Sequence, residues 1–242
     1  MRSGWCASPL KDRVKDRVNL EPNEVHVWTV ELDTPAGTAS GGGELLSPDE
    51  RRRVAASASG VQARRFAAGR GALRRILAGY LGADPRRLEF AYGPFGKPGL
   101  ASRDGCHLEF SVAHTGGVGQ VAVRRDRPIG IDLEAVRPVD AVVIARRFLS
   151  DADADWVARL PAARQVEGFL RLWAIKESYV KFTGRGLTVP LRDIDVLGLC
   201  SGAAEQGWAV LLLDPGPGLL GALVTASPVI ALRPRSFVLS GR

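Results

Sequence analysis

GIDLEAVRP, residues 130–138, reads as a short buried strand that carries two acids two residues apart. Side chains on a strand alternate with period two, so Ile131 and Leu133 suit an interior face while Asp132 and Glu134 emerge together from the other. Like charges side by side repel, and a strand with no other duty would gain by losing one of them. By itself the pair fits a solvated strand face. It also fits a site for a hard cation, because oxygen ligands on neighbouring positions suit Mg²⁺. The rest of the chain has to decide.

Downstream, FLRLWAIKESYVKFTGRGL (169–187) predicts a strong helix from about Gln165 to Thr183. At 100° per residue, Phe169, Leu172, Trp173, Tyr179 and Val180 form an apolar stripe. Lys176 falls inside that stripe, where an unpaired charge is costly. Glu177 and Lys181 lie four apart at its edge. Such a pair on a solvated helix is an ordinary salt bridge worth about 0.3–0.5 kcal/mol. Bordering an aromatic face, an acid and two lysines look instead like the wall of an anion-binding cleft.

Upstream, Lys97 is held in a Gly/Pro-rich turn, FGKPGL (95–100), which a lysine serving only solubility does not need. His114 ends a strand ahead of Thr115-Gly116-Gly117, a turn whose backbone N–H groups could cradle a phosphate. Before these, LLSPDERRRVAASAS opens a helix with Ser47 as N-cap, Pro48 at its first position and Glu50 at its third. VQARRFAAGRGALRRILAGYLG continues as a longer helix stopped at Gly82. Its five arginines, 64, 65, 70, 74 and 75, cannot share one face, so most are expected on the solvated surface. Strands are expected at 25–32, LEFAY, HLEFSVAHTGG and VGQVAVRR. Helices follow at about Val139–Phe148 and in DADADWVARL. The tail segments DIDVLGL, GWAVLLLD, GLLGALVTAS and VIALRPRSF read as strand-like. The pattern is mixed α/β with no glycine-rich dinucleotide fingerprint. A faint echo between YLGADPRRLEF and TGRGLTVPLRDIDV suggests two related halves with a cleft between them.

At 242 residues, with 45% hydrophobic and 24% charged content, the chain has the make-up of a globular protein with a real core. No run approaches the roughly 20 apolar residues of a membrane span, and the first 25 residues carry charge where an export signal would be apolar. Cys6, Cys106 and Cys200 lack metal-like spacing and suit free thiols in a reducing cytoplasm. The net charge of +7 is open to a nucleic-acid partner, a membrane surface or an acidic protein, but no basic–aromatic block, zinc-finger or RNA-binding pattern indicates nucleic acid. Only five of the 33 basic residues are lysines, and three of those five lie in the segments singled out above.

The order of these pieces is a signature: a basic RFxxGRxxLR helix, GKPxL, a strand ending in His-Thr-Gly, GIDLE, then WxxKESxxK and GxGL. Over roughly residues 45–190 it resembles the Sfp-type 4′-phosphopantetheinyl transferases. The resemblance implies an α/β (α+β) fold of two pseudo-symmetric subdomains with the active site between them; on the sequence pattern these run 25–128 and 129–242, after a segment at 1–24 read as a flexible extension. It implies transfer of 4′-phosphopantetheine from coenzyme A to a serine of an acidic acyl or peptidyl carrier protein, releasing 3′,5′-ADP. Asp132, Glu134 and Glu177 match the acids that hold Mg²⁺ (Mn²⁺ as an alternative). Lys181 matches the lysine near the phosphates, with Glu177 and Lys181 the catalytic pair. Lys97, His114 and Thr115 fall at coenzyme A-contacting positions, and Arg53 and Arg65 where basic residues approach the nucleotide. Ala113 departs from the family's usual serine before the histidine, removing a hydroxyl contact. Two other readings stay open on the residues alone: a different Mg²⁺-dependent phosphoryl or nucleotidyl transferase, and a catalytically silent module that binds carrier proteins. A cytoplasmic monomer that binds neither membrane nor nucleic acid is expected.

Overall fold

The computed structural model describes residues 9–10, 17–33, 42–101, 108–186, 190–229 and 231–237. Its architecture is mixed α/β, as the sequence pattern predicts. One sheet runs in the order β1 (Pro9–Leu10), β10 (Ala231–Phe237), β2 (Glu24–Glu31), β6 (Val118–Arg125), β5 (Leu108–Thr115). A second, antiparallel sheet runs β7 (Ile129–Ala135), β9 (Leu219–Ala226), β8 (Trp208–Leu213). A small hairpin pairs β3 (Phe90–Tyr92) with β4 (Pro98–Leu100). The helices are α1 (Pro48–Ala55), α2 (Gly60–Leu81), α3 (Ala141–Phe148), α4 (Asp151–Arg159), α5 (Ala162–Thr183) and α6 (Val196–Gly202).

Each sheet carries one long helix. Ile76, Leu77, Tyr80 and other small or apolar residues of α2 bury against Trp28, Val30, Phe110, Val121 and Val123 of the first sheet. The 22-residue α5 packs on the second sheet, with Phe169, Leu172, Ile175 and Val180 joining Ala222 of β9 in a core shared with α3 and α4. A third core of Val25, Val27, Ala122, Ile129, Ile131, Leu213 and Leu223 joins the two sheets. Both long helices stop where the sequence places a glycine, Gly82 at φ 63° and Gly184 at φ 67°. That left-handed turn is cheap only without a Cβ. At the start of α1 the predicted capping box is present: the Ser47 side chain accepts from the Glu50 N–H, and the Glu50 carboxylate accepts from the Ser47 N–H.

Close approach of α5 to β7 sets the site, and one glycine permits it. A Cβ on Gly130 would lie 2.0 Å from the Ser178 carbonyl and 2.4 Å from the Phe182 nitrogen. A methyl group there would drive α5 off the strand. On its other flank Ser178 donates its hydroxyl 2.8 Å to the Ala222 carbonyl of β9, pinning the helix in depth.

Three features differ from the sequence pattern. DIDVLGL, expected as a strand, enters a helical turn and then α6. Asp195 caps α6 by accepting from the Gly198 N–H. The buried Asp153 accepts from the N–H groups of Val196 and Leu197. Local alternation yielded to these long-range hydrogen bonds. VIALRPRSF does supply a strand, but β10 returns to the first sheet and lies parallel to β2, with Ala231 opposite Glu24 and Phe237 opposite Val30. The end of the 1–24 segment packs on the body, with Leu20 buried and the Val18 N–H donating 2.9 Å to the Gly79 carbonyl. Leu187, Thr188, Val189, Cys6 and Cys106 lie outside the described residues.

Candidate active site

The alternation of β7 puts Ile131 and Leu133 in the interior, almost without exposure, and turns Asp132 and Glu134 toward α5. On α5, Trp173, Glu177 and Lys181 follow one another at i, i+4 and i+8, one stripe of one helix face. These three line one cavity of about 520 Å³ together with Asp132 and Glu134. The opposite wall comes from the first half of the chain: Arg53 of α1, Arg65, Phe66 and Arg70 of α2, Tyr92 of β3, and Ala113 and His114 of β5. One wall is acidic and the other basic, with apolar residues such as Val30, Leu73 and Val121 between.

Lys181 is the link among the acids. Its ammonium donates 2.7 Å to Asp132 Oδ1 and 3.0 Å to the Ile131 carbonyl. The second oxygen of Asp132, Oδ2, is buried with no hydrogen-bond partner. An unpartnered carboxylate oxygen in such a place is costly. Burial holds the Glu134 carboxyl above its usual range, and the negative charges of Asp132 and Glu177 push it further. Glu177 is raised in the same sense by burial and then by Asp132, against the opposing pull of Lys181 and Lys176. Three mutually repelling carboxylates with one orphaned oxygen form a donor set that suits a hard divalent cation. Among the described residues, however, no three His, Cys, Asp or Glu side chains gather closely enough to hold a metal by themselves. Waters and substrate phosphates would have to complete the shell, as is usual for Mg²⁺.

Other residues singled out in the sequence go elsewhere. Lys97 is absent from the cavity lining, although its neighbours Gly96 and Pro98 are part of it. Its ammonium donates 2.9 Å to the Ile129 carbonyl, tying the hairpin to the start of β7, and burial lowers its pKa. Thr115 is not among the lining residues either; it pairs with Val118 where β5 turns into β6. Lys176 does not wall the cleft. One residue round from Glu177, it is 0% exposed on the far side of α5 and donates 3.1 Å to the Phe148 carbonyl at the end of α3. That is a place where a helix terminus favours a cation. Desolvation lowers the Lys176 pKa to about 8. Arg65 lines the cavity but is held by both oxygens of Asp33, at 2.7 and 2.6 Å. Arg53 is exposed, its guanidinium 4.5 Å from the centre of the Phe66 ring.

Sequence reasoning missed the fate of two arginines. Arg74, expected at the surface, is buried against Glu50 and Arg70 is mostly covered beside it: Glu50 Oε1 lies 3.2 Å from Arg70 Nε and Oε2 2.9 Å from Arg74 Nε. The signal was present in the capping box. A Glu that turns back to cap its own helix is fixed in place, and two residues four apart on one face of an adjacent helix can reach it together.

A cavity with carboxylates and a lysine on one wall and guanidinium groups on the other suits a phosphate-bearing substrate. Comparison with known proteins makes the class specific. Residues 128–215 match the model of the 4′-phosphopantetheinyl transferase superfamily. The chain is 35% identical over 215 residues, 86% of this chain and 90% of the relative, to the 4′-phosphopantetheinyl transferase HetI of Nostoc sp. (strain PCC 7120). It is 31% identical over 173 residues, 70% of this chain and 75% of the relative, to a 4′-phosphopantetheinyl transferase of Bacillus subtilis. To the transferase Sfp of Bacillus subtilis (strain 168) it is 28% identical over 152 residues, 63% and 66% of the two chains. The chain belongs to the 4′-phosphopantetheinyl transferase superfamily. Among the described residues no helix is long and apolar enough to cross a membrane.

Proposed function

We propose that this protein transfers the 4′-phosphopantetheine group of coenzyme A to a serine of an acyl or peptidyl carrier protein, releasing 3′,5′-ADP. The observation that carries the reading is the meeting of Asp132 and Glu134 with Glu177 and Lys181 in one cavity, opposite a basic wall. Asp132, Glu134 and Glu177 would hold Mg²⁺, or Mn²⁺ in its place; when bound, the ion neutralises charge on the pyrophosphate of coenzyme A. In the transfer, the serine oxygen forms a bond to the β-phosphorus and the bond from that phosphorus to the 3′,5′-ADP oxygen breaks. Glu177 accepts the serine proton. In the metal-free protein burial raises its pKa above the usual carboxylate value, and a bound cation would lower it again. Lys181, already directed at the acidic wall, places its charge where negative charge builds on phosphate oxygens. His114, Arg53 and Arg65 would face the nucleotide. Lys97 and Thr115 would serve it only through the backbone of their turns. Ala113 offers no hydroxyl, so His114 would act there without the neighbour that the family commonly supplies.

One chain provides both walls, which fits a monomer as the working unit. Coenzyme A as substrate fits a cytoplasmic location. Mass spectrometry of an apo carrier incubated with coenzyme A, Mg²⁺ and this protein tests the reading. A gain of one phosphopantetheine with release of 3′,5′-ADP is expected, and no gain across several carriers overturns it. The carrier is expected to be acidic, drawn by the net charge of +7. Its apparent KM should therefore climb with added salt more steeply than that of coenzyme A, since long-range steering is screened over about 8–10 Å at physiological ionic strength.

A further inference from the structure

We propose that Arg70, and not Arg65, is the residue that recognises the ribose 3′-phosphate of coenzyme A in this protein; this rests on the transferase reading above. Arg65 lines the cavity, but its guanidinium is already matched by the Asp33 carboxylate through two hydrogen bonds of 2.7 and 2.6 Å. A phosphate arriving there must compete with a bidentate partner. Arg70 is in the opposite condition. Its side chain is only 9% exposed, it lines the same cavity, and its Nη1 has no hydrogen-bond partner. The rest of the group is held on every side: Nε lies 3.2 Å from Glu50 Oε1, Nη2 donates 3.0 Å to the Tyr92 hydroxyl, and the plane sits 4.9 Å from the Phe90 ring centre and 5.7 Å from that of Phe66. A buried donor left open on an immobilised guanidinium is a preorganised anion-binding group.

Charge leads to the same residue. In this cluster Arg70 and Arg74 share the single carboxylate of Glu50. Arg74 Nη1 donates to the carbonyls of Pro85 and Leu88. The three side chains therefore carry one positive charge in excess, in a place where water can do little to screen it. The chemistry of coenzyme A supplies the counter-charge. Its pyrophosphate belongs with the acids and the reacting centre on the other wall. Its third phosphate, a dianionic monoester on the ribose, needs cationic protein groups of its own. Tyr92, half exposed at the cavity edge and bonded to Arg70, stands beside that position and can turn its ring toward the nucleoside.

The experiment is calorimetric titration, with Mg²⁺ present, of coenzyme A and of dephospho-coenzyme A, which lacks only the 3′-phosphate. The unaltered protein, Arg70→Gln, Arg70→Lys and Arg65→Gln are compared, with a thermal melt of each. The unaltered protein should prefer coenzyme A. Arg70→Gln should shrink that preference by roughly 10–100-fold, the worth of a charge-assisted hydrogen bond, with little change for dephospho-coenzyme A. Arg70→Lys keeps a cation beside Glu50, and so the fold, but lacks the open Nη1; the preference should still fall. Arg65→Gln should alter the preference less than either. If both ligands weaken equally in the Arg70 variants, Arg70 is only a packing element and the proposal fails. If Arg65→Gln removes the preference while Arg70→Lys keeps it, the phosphate belongs to Arg65 and the proposal fails as well. An unaltered protein that binds neither ligand overturns the transferase reading along with it. One that binds both equally tightly overturns this inference alone.

Discussion

Asp132→Asn should lower the rate of carrier modification by about a thousandfold, the scale on which removing a fixed electrostatic group from a reacting centre acts. Asparagine keeps the shape of the side chain but not the charge that draws a cation between Asp132, Glu134 and Glu177. The same substitution should change the pH dependence of stability in a defined direction. Glu134 and Glu177 are both raised above the ordinary carboxylate value of 4.5, first by burial and then by Asp132. A carboxyl with a raised folded-state pKa binds its proton more tightly in the folded protein than in the unfolded chain. Stability in the absence of metal and substrate should therefore fall as pH climbs from about 4.5 through the raised values. Removing the Asp132 charge lowers both pKa values, so the fall should be shallower in Asp132→Asn. Melting temperatures from pH 4 to 8, alongside turnover at saturating Mg²⁺ and coenzyme A, check both halves. Near-normal turnover would place the cation elsewhere, and an unchanged pH profile would mean that burial alone raises the two glutamates.

Lys181→Gln should cost turnover and stability together, where a lysine of purely catalytic duty would cost turnover alone. The Lys181–Asp132 pair lies 2.7 Å apart, with side chains 30% and 11% exposed. Its loss belongs between the roughly 0–1 kcal/mol of an exposed pair and the roughly 3–5 kcal/mol of breaking a fully buried one. At about 2–4 °C per kcal/mol for a chain of this size, that is a visible drop in Tm. The double variant Lys181→Gln/Asp132→Asn removes the stranded carboxylate as well as the lysine. Most of the lost stability should return, and none of the activity. Denaturant unfolding of the four proteins closes the cycle. Additive effects would show that the two residues are neighbours without energetic coupling.

Much of the acidic wall was legible in the sequence because it depends on local periods. A period of two fixes Asp132 and Glu134 on one side of β7, and spacings of four put Trp173, Glu177 and Lys181 on one stripe of α5. Lys176 shows the limit of that reasoning. Periodicity correctly put it inside the apolar stripe, but only the arrival of the Phe148 carbonyl from α3 explains how its charge is tolerated there. Lys97 shows the same limit in a turn, since nothing in FGKPGL reveals that Ile129, 32 residues on, will take its ammonium. On the basic wall, helical spacing suggested that most of the arginines are solvated, since five cannot share one face. The placement of Arg70 and Arg74 depends on Glu50, which comes from a different helix. Local order was readable; partners brought from far along the chain were not.

The route of β10 bears on how the chain comes to be folded at all. The strand lies between β1 and β2, and its Arg233 meets Glu24 across 209 positions of sequence. A ribosome releases β2, β6 and β5 long before it releases the strand that completes their sheet. Until then the flank of β2 offers bare backbone donors and acceptors to any neighbouring chain. The first sheet must wait, incomplete, for β10, and a topology so dominated by distant pairings folds slowly and is exposed to aggregation while it does so.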